Sequence, residues 1–185
     1  MRQKGHKEDI DLVNQVRAGD QTAFKAIVLK YEKTLATVVK GMLGNKPDAD
    51  DIGQETFIRF YNSIGQYKGD ASLGTYLTRI GINLSLNEIK KRKRKAWVDM
   101  NEQLDTNYSD DGNFNRTDEQ EIIQKALNNL SIEFRSVILL RIVEGYSSKE
   151  TAQILSLPLG TVLSRLSRGQ QKLREILLKM DVDYK

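Results

Sequence analysis

Residues Leu155–Leu173 read "LSLPLGTVLSRLSRGQQKL", and the interpretation of this stretch decides the fold. Pro158 sits in a tight turn, so a helix arriving at Leu155 stops there and a new one begins beyond it. The second helix is expected from near Thr161 to about Met180. At about 100° per residue, Val162, Leu166, Gly169, Leu173 and Leu177 fall on one of its sides. Thr161, Ser164, Arg165, Arg168, Gln171 and Lys172 fall on the outward arc. Upstream, Ser147 and Glu150 have the spacing of a capping box that opens a short helix, with Ala152 placed for a close contact. Two helices joined by such a turn form the helix-turn-helix pattern. An α-helix fits the DNA major groove, where arginine forks bond guanine edges or phosphates and Thr and Ser add shorter contacts. The residues alone also fit an ordinary helical hairpin with a solvated basic face.

The rest of the chain agrees with a helical protein. Its 185 residues fit one ordinary domain or two small ones, and 39% hydrophobic content is enough to build cores. Two prolines and the lack of repeated short strands favour helices. No apolar run approaches the roughly 20 residues that cross a bilayer, so no membrane insertion is expected. "MRQKGHKEDI" is followed by no apolar segment, so no signal peptide is read and a cytoplasmic protein is expected. Zero cysteines exclude disulfides, thiolate catalysis and Cys-based zinc sites. The net charge of +4 is unevenly spread: "KKRKRK" (Lys90–Lys95) precedes a stretch with Asp99, Glu102, Asp105, Asp110 and Asp111.

Periodicity places the other helices. A short one is expected over Ile10–Val16, with His6 in a frayed terminus. Asp20 caps a second, on which Phe24, Val28, Tyr31, Leu35, Val38 and Met42 recur every three or four residues until Gly44 and Asn45 end it. Asp48 is placed to cap a third, which carries Ile52, Phe57, Phe60, Tyr61 and Ile64. After the loop "GQYKGDAS", Leu73, Leu77, Ile80 and Leu84 mark a fourth that runs into the basic segment. Residues 98–116 have no sustained period and read as an acidic flexible linker. Beyond it, Thr117 and Gln120 form a second capping-box pair, and Ser131 is placed to cap a helix whose Val137–Leu140 are expected to be buried. The fold class is therefore all-α: two small helical domains, 1–97 and 117–185, joined by that linker, the second a helix-turn-helix domain.

Three side-chain groups stand out. Asp48, Asp51 and Glu55 share a helix face, which fits either hard-cation ligands or acids placed favourably at a helix N-terminus. Tyr76, Arg79 and Asn83 share a flank beside the loop, where an aromatic, a guanidinium and an amide can stack on and bond an unpaired base; the same trio also fits the polar shoulder of an amphipathic helix. Lys90–Lys95 suit phosphate neutralisation, which releases counterions and weakens with salt.

"YSSKETAQILSLPLGTVLSRLSRGQQKLRE" resembles the fourth region of bacterial sigma factors, especially the extracytoplasmic-function group. "AGDQTAFKAIVLKYE", "DADDIGQETFIRFY" and "GDASLGTYLTRIGINLSLNEIKKRKR" resemble the second sigma region, in the family's order. The resemblance implies a non-enzymatic RNA polymerase subunit without cofactor or metal of its own, directing promoter recognition and transcription initiation. It implies minus-35 contacts through Thr161, Ser164, Arg165, Arg168 and Lys172. It implies minus-10 capture by Tyr76, Arg79 and Asn83, with a base flipped into a pocket lined by Lys68, Gly69, Asp70, Ala71 and Ser72. Asp51, Gln54 and Glu55 would contact the beta-prime clamp of core polymerase; the beta flap, promoter DNA and an anti-sigma protein complete the implied partners. The linker would thread the polymerase channel, its negative charge resembling a nucleic-acid strand. A stand-alone helix-turn-helix regulator is the alternative.

Overall fold

The computed structural model describes residues 2–44, 47–101 and 118–183, and every regular element among them is helical. The first domain contains α1 (Arg2–Arg17), α2 (Gln21–Leu43), α3 (Pro47–Asn62) and α4 (Leu73–Asn101); a single 3₁₀ turn, Ile64–Gln66, precedes the loop before α4. The second contains α5 (Asp118–Asn128), α6 (Ile132–Ile138, continued by a π-helical turn, Leu139–Val143), α7 (Ser148–Leu155) and α8 (Leu159–Asp183).

Helix α2 forms as its spacing predicts. The Asp20 carboxylate accepts from the amides of Thr22 and Ala23, and Gly44 ends the helix at φ 83°, a conformation that costs glycine little. Of its predicted stripe, Leu35, Val38 and Met42 are fully buried against α3 and α4 while Phe24, Val28 and Tyr31 are half-buried, and Ile27, outside that stripe, is fully buried with them. Each such side chain contributes about 1.5–3 kcal/mol of apolar burial.

Several boundaries depart from expectation. Helix α1 begins at Arg2 rather than Ile10, because its charged first half holds good helix formers but no apolar period to announce it. His6 accordingly lies on α1, half-buried, and not in a frayed end. Helix α3 starts at Pro47, a favoured first helical residue, so Asp48 sits in the first turn instead of capping it. Helix α4 continues to Asn101, four residues into the stretch expected to be linker. Helix α8 starts at Leu159, directly after Pro158 and before Thr161. The acidic residues Glu102–Asp111 and the cap residue Thr117 lie outside the described residues.

In the second domain Val137, Ile138, Leu139 and Leu140 are all buried, as expected. Ser131 holds the cap position of α6, but its hydroxyl accepts no amide there. The Ser147–Glu150 capping box is complete in both directions. Ser156 ends α7 in the left-handed region (φ 53°), and Pro158 then releases α8. Val162 and Gly169 are buried and Leu166, Leu173 and Leu177 half-buried, so the apolar side of α8 faces inward as the helical wheel requires. A Cβ at Gly169 would lie 3.1 Å from Ile138 Cγ1, which is why α8 can cross α6 closely. Ala152 is half-buried, while Thr151 and Ile154 carry α7 into the core. Ser147→Ala should cost about 1 kcal/mol and lower the melting temperature by about 2–4 °C. Circular dichroism at 222 nm checks this; an unchanged melt would show the box to be redundant.

The two domains also touch. Buried residues of both belong to one apolar cluster, α7 packs on α4, and the π turn packs on α2.

Candidate nucleic-acid interface

A surface groove runs between α3 and α4, lined by Arg59, Asn62, Ser63, Tyr76, Ile80, Asn83, Leu84 and Asn87. Tyr76 is half-buried and held edge-on by two rings, Tyr67 at 5.2 Å and Phe60 at 6.2 Å between centroids. Asn83 is exposed seven residues, about two helical turns, further along. The predicted trio is thus gathered only in part, since Arg79 is exposed but does not line this groove. Arg59, Asn62, Ser63 and Asn87 are groove residues that sequence reasoning missed. Asn87, four residues after Asn83 on the same helix face, could have been found by extending the stripe. Arg59 and Asn62 on α3, and Ser63 just after it, had no such signal, because only tertiary packing brings them beside α4.

On the neighbouring face of α3, Asp51 and Gln54 are exposed. Glu55 is half-exposed and accepts from Arg59 Nε at 2.7 Å. Asp48 accepts from Arg92 Nη2 at 2.8 Å, so the acidic face is already matched by two guanidinium groups. Among the described residues no group of three or more His, Asp or Glu is placed to hold a metal ion. Arg92 also bonds Glu88 at 3.3 Å and thereby ties the basic run to the first domain, whereas Lys90, Lys91, Lys93, Arg94 and Lys95 are exposed.

The loop before α4 is pinned from within. Tyr67 Oη donates to the Ala71 carbonyl at 2.8 Å, the Arg17 guanidinium donates to the carbonyls of Ile64 and Tyr67, and the amide of Thr75 donates to Ser72 Oγ at 3.2 Å. Gly69 takes φ 81° and Lys68 points to solvent. Asp70, Ala71 and Ser72 line a cleft distinct from the α3–α4 groove, together with Asp9, Lys30, Tyr31, Glu144, Tyr146 and Glu150. Of the eight residues expected to capture one strand, three line this cleft, two line the α3–α4 groove, and Lys68, Gly69 and Arg79 line neither.

Electrostatics sharpen that cleft. Asp9 is buried and accepts from Lys30 Nζ and Tyr31 Oη, each at 2.6 Å. Burial, then the Asp9 carboxylate, hold the Tyr31 phenol far above its ordinary range. Burial and the Asp9 charge push Tyr67 up to about 12, against an opposing pull from Arg17. Burial also raises Tyr146 and, across the cleft, the Glu144 carboxyl. In the unfolded chain these phenols lose their protons near pH 10. The folded state then binds more protons than the unfolded one, so stability falls as pH rises through about 10–12. Phenolate absorbance at 295 nm should accordingly rise together with loss of helix. Full ionisation of the tyrosines with the helix intact would contradict this.

On α8, Ser164, Arg168 and Lys172 are exposed, and Thr161 and Arg165 half-buried. Ser164 Oγ donates to the Thr161 carbonyl at 3.0 Å, and Lys172 pairs with Glu175 at 2.9 Å. That bond to Lys172 holds Glu175 below the usual carboxylate range. Glu133 on α6 is held low by its own backbone amide and by the Ser131 hydroxyl, with weaker help from Arg165 and Lys93.

Comparison with known proteins places these surfaces in a family. Residues 27–95 match Sigma-70 region 2, and residues 120–173 match Sigma-70 region 4. The groove lies in the first match and the helix-turn-helix in the second. The chain belongs to the extracytoplasmic-function sigma factors of bacterial RNA polymerase. This sigma factor is 34% identical to the ECF RNA polymerase sigma factor SigW of Bacillus subtilis, over 89% of this chain and 94% of SigW. It is 28% identical to RNA polymerase sigma-H factor of Pseudomonas aeruginosa, over 92% of this chain and 94% of the relative. Its fold is similar to CnrH, solved in complex with the cytosolic domain of CnrY, at TM-score 0.71 and 25% identity, covering 92% of this chain and 97% of CnrH. It is also similar to RpoE of Bartonella quintana, solved with the anti-sigma factor NepR, at TM-score 0.70 and 26% identity, covering 85% and 98%. Among the described residues of this sigma factor, no helix is long and apolar enough to cross a membrane.

Proposed function

We propose that this sigma factor binds core RNA polymerase and directs it to a two-part promoter. The outward arc of α8, with Thr161, Ser164, Arg165, Arg168 and Lys172, reads the minus-35 duplex from the major groove. Tyr76 and Asn83, with Arg79 beside them, hold the unpaired non-template strand of the minus-10 element, and the loop Lys68, Gly69, Asp70, Ala71, Ser72 receives a flipped base. Taking a base out of the stack costs a few kcal/mol, so holding it in protein favours melting. Asp51, Gln54 and Glu55 on α3 meet the polymerase clamp, and the second domain (117–185) docks on the beta flap. The chain contributes no catalytic group; core polymerase carries the nucleotidyl-transfer chemistry. A cytoplasmic site of action and an anti-sigma partner, of the kind bound to RpoE in its solved complex, belong to the same reading.

The observation that supports this reading best is the pairing of two surfaces in one chain. One is a groove with a ring-held Tyr76 beside exposed amides, and the other is a capped helix-turn-helix with exposed arginine. Gel filtration with purified bacterial core tests it. The chain should co-elute with core, and Asp51→Arg combined with Glu55→Arg should abolish co-elution while leaving the melt unchanged. Tight binding to duplex DNA with no association with core would instead favour the stand-alone regulator.

A further inference from the structure

The face of α4 that lines the groove continues well beyond it. At about 100° per residue, Tyr76, Asn83, Asn87, Lys90, Arg94 and Trp97 fall within about 80° of arc, so one stripe runs the length of the helix. Asn83, Asn87, Lys90 and Arg94 are all exposed. Trp97, a residue type that is highly buried on average, is 68% exposed. Lys91 and Lys93, both exposed, flank the stripe on either side. The opposite side of the helix is tied down. Arg92, about 180° from Asn83, donates from Nη2 to Asp48 at 2.8 Å, from Nη1 to the Leu43 carbonyl at 3.4 Å and from Nε to Glu88 at 3.3 Å. These bonds fix the rotation of α4 beyond the groove, which keeps the cations and Trp97 in line with Tyr76 and Asn83.

Along the stripe the chemistry changes in order: a ring at Tyr76, amides at Asn83 and Asn87, cations at Lys90 and Arg94, and a second ring at Trp97. Single-stranded DNA is held by that combination, with cations following the backbone and aromatic faces stacking on the bases. At about 1.5 Å per residue the two rings stand about 32 Å apart along the axis. That is the length of about nine nucleotides at the duplex spacing of about 3.4 Å, and of fewer in an extended strand. We propose that Trp97 is a second stacking site for the unpaired promoter strand, which runs along α4 from Tyr76 across Lys90 and Arg94. This rests on the minus-10 reading of Tyr76 and Asn83, while the stripe itself rests only on the helix and its exposed side chains. The contacts are to phosphates and to the face of a base, so they tolerate any sequence and strengthen capture without adding to promoter choice.

Trp97 is the only tryptophan of the chain, so its own fluorescence can report the contact. Replacing it with 5-hydroxytryptophan, which is excited apart from the ordinary tryptophans of core polymerase, gives a holoenzyme with one probe on the stripe. A promoter fork with an unpaired minus-10 strand should quench that probe, and a minus-35 duplex should not. As the unpaired strand is shortened one nucleotide at a time, the quench should vanish once the strand no longer spans from Tyr76 to Trp97. Trp97→Ala should weaken fork binding by about 5–150-fold, the worth of one stacked base, with the melt unchanged. Trp97→Phe, which keeps an aromatic face, should retain most of the affinity. Trp97→Leu, which keeps apolar bulk alone, should lose as much as alanine. Fork binding that falls in Asn83→Ala but not in Trp97→Ala, or that Trp97→Leu preserves, would overturn the second site and leave the minus-10 reading standing. If wild-type holoenzyme captures no fork of any sequence, that reading fails and the second site falls with it. A blue shift on phosphatidylglycerol vesicles, without quench by the fork, would assign Trp97 and its cations to an anionic membrane surface instead.

Discussion

Phe60→Ala is expected to destabilise the first domain severely. Phe60 is fully buried on α3, and its ring meets Tyr76 edge-on, so it supports both the core and the groove. Removing a buried phenyl ring costs about 3–5 kcal/mol in transfer and cavity terms. Against a total stability of about 5–15 kcal/mol, that is a large share. The melting temperature should fall by about 6–20 °C at 2–4 °C per kcal/mol. Tyr76→Ala removes a half-buried ring on the groove side and should leave most of that stability in place while weakening strand capture by about 1–3 kcal/mol, the worth of one stacked base. A melt of Phe60→Ala within a few degrees of wild type would show that the domain repacks around the gap. It would also remove the argument that Tyr76 is positioned from below.

The second large effect is expected from Arg165→Ala with Arg168→Ala. Neither residue belongs to the buried core, so the fold should survive. If each guanidinium forks onto a base edge, each loss costs about 1–3 kcal/mol and relaxes sequence preference at one position. If instead they meet phosphates, binding weakens evenly across sequences and the salt slope falls by about 1 for each. Holoenzyme binding to minus-35 duplexes, measured for several sequences at several salt concentrations, separates the two. Arg168, fully on the outward arc, should have the larger effect. Arg165 is half-buried and shares Glu133 with Lys93, which restrains where its guanidinium can reach. No loss of binding from the double substitution would move duplex recognition off α8.

Much of this was readable from one-dimensional pattern. The stripe from Phe24 to Met42 fixed α2 because burial on one side of a helix must recur every three or four residues, and the Asp20 and Ser147 caps marked starts to the residue. The same rule separated Val162 and Leu166 from Arg165 and Arg168 on α8. What escaped it is whatever depends on distant segments meeting. Arg92 reads as one cation among six, yet its partner Asp48 is 44 residues away. Arg59, Asn62 and Ser63 reach the groove only because α3 lies beside α4. Gly41 reads as a weak point in a helix until Leu139 is seen against it. The start of α1 escaped for the opposite reason: a charged helix end has no apolar period to detect.

The most direct test of the whole account is run-off transcription with purified bacterial core polymerase, this chain and a library of promoter fragments. Discrete start sites should appear only when the chain is present. They should weaken in Asn83→Ala and recover in part when the minus-10 region is supplied already unpaired. They should also weaken in Arg168→Ala, where unpairing should bring no recovery. The absence of any chain-dependent start site, with the chain folded and core active on a control promoter, would contradict the assignment of these two surfaces to promoter DNA.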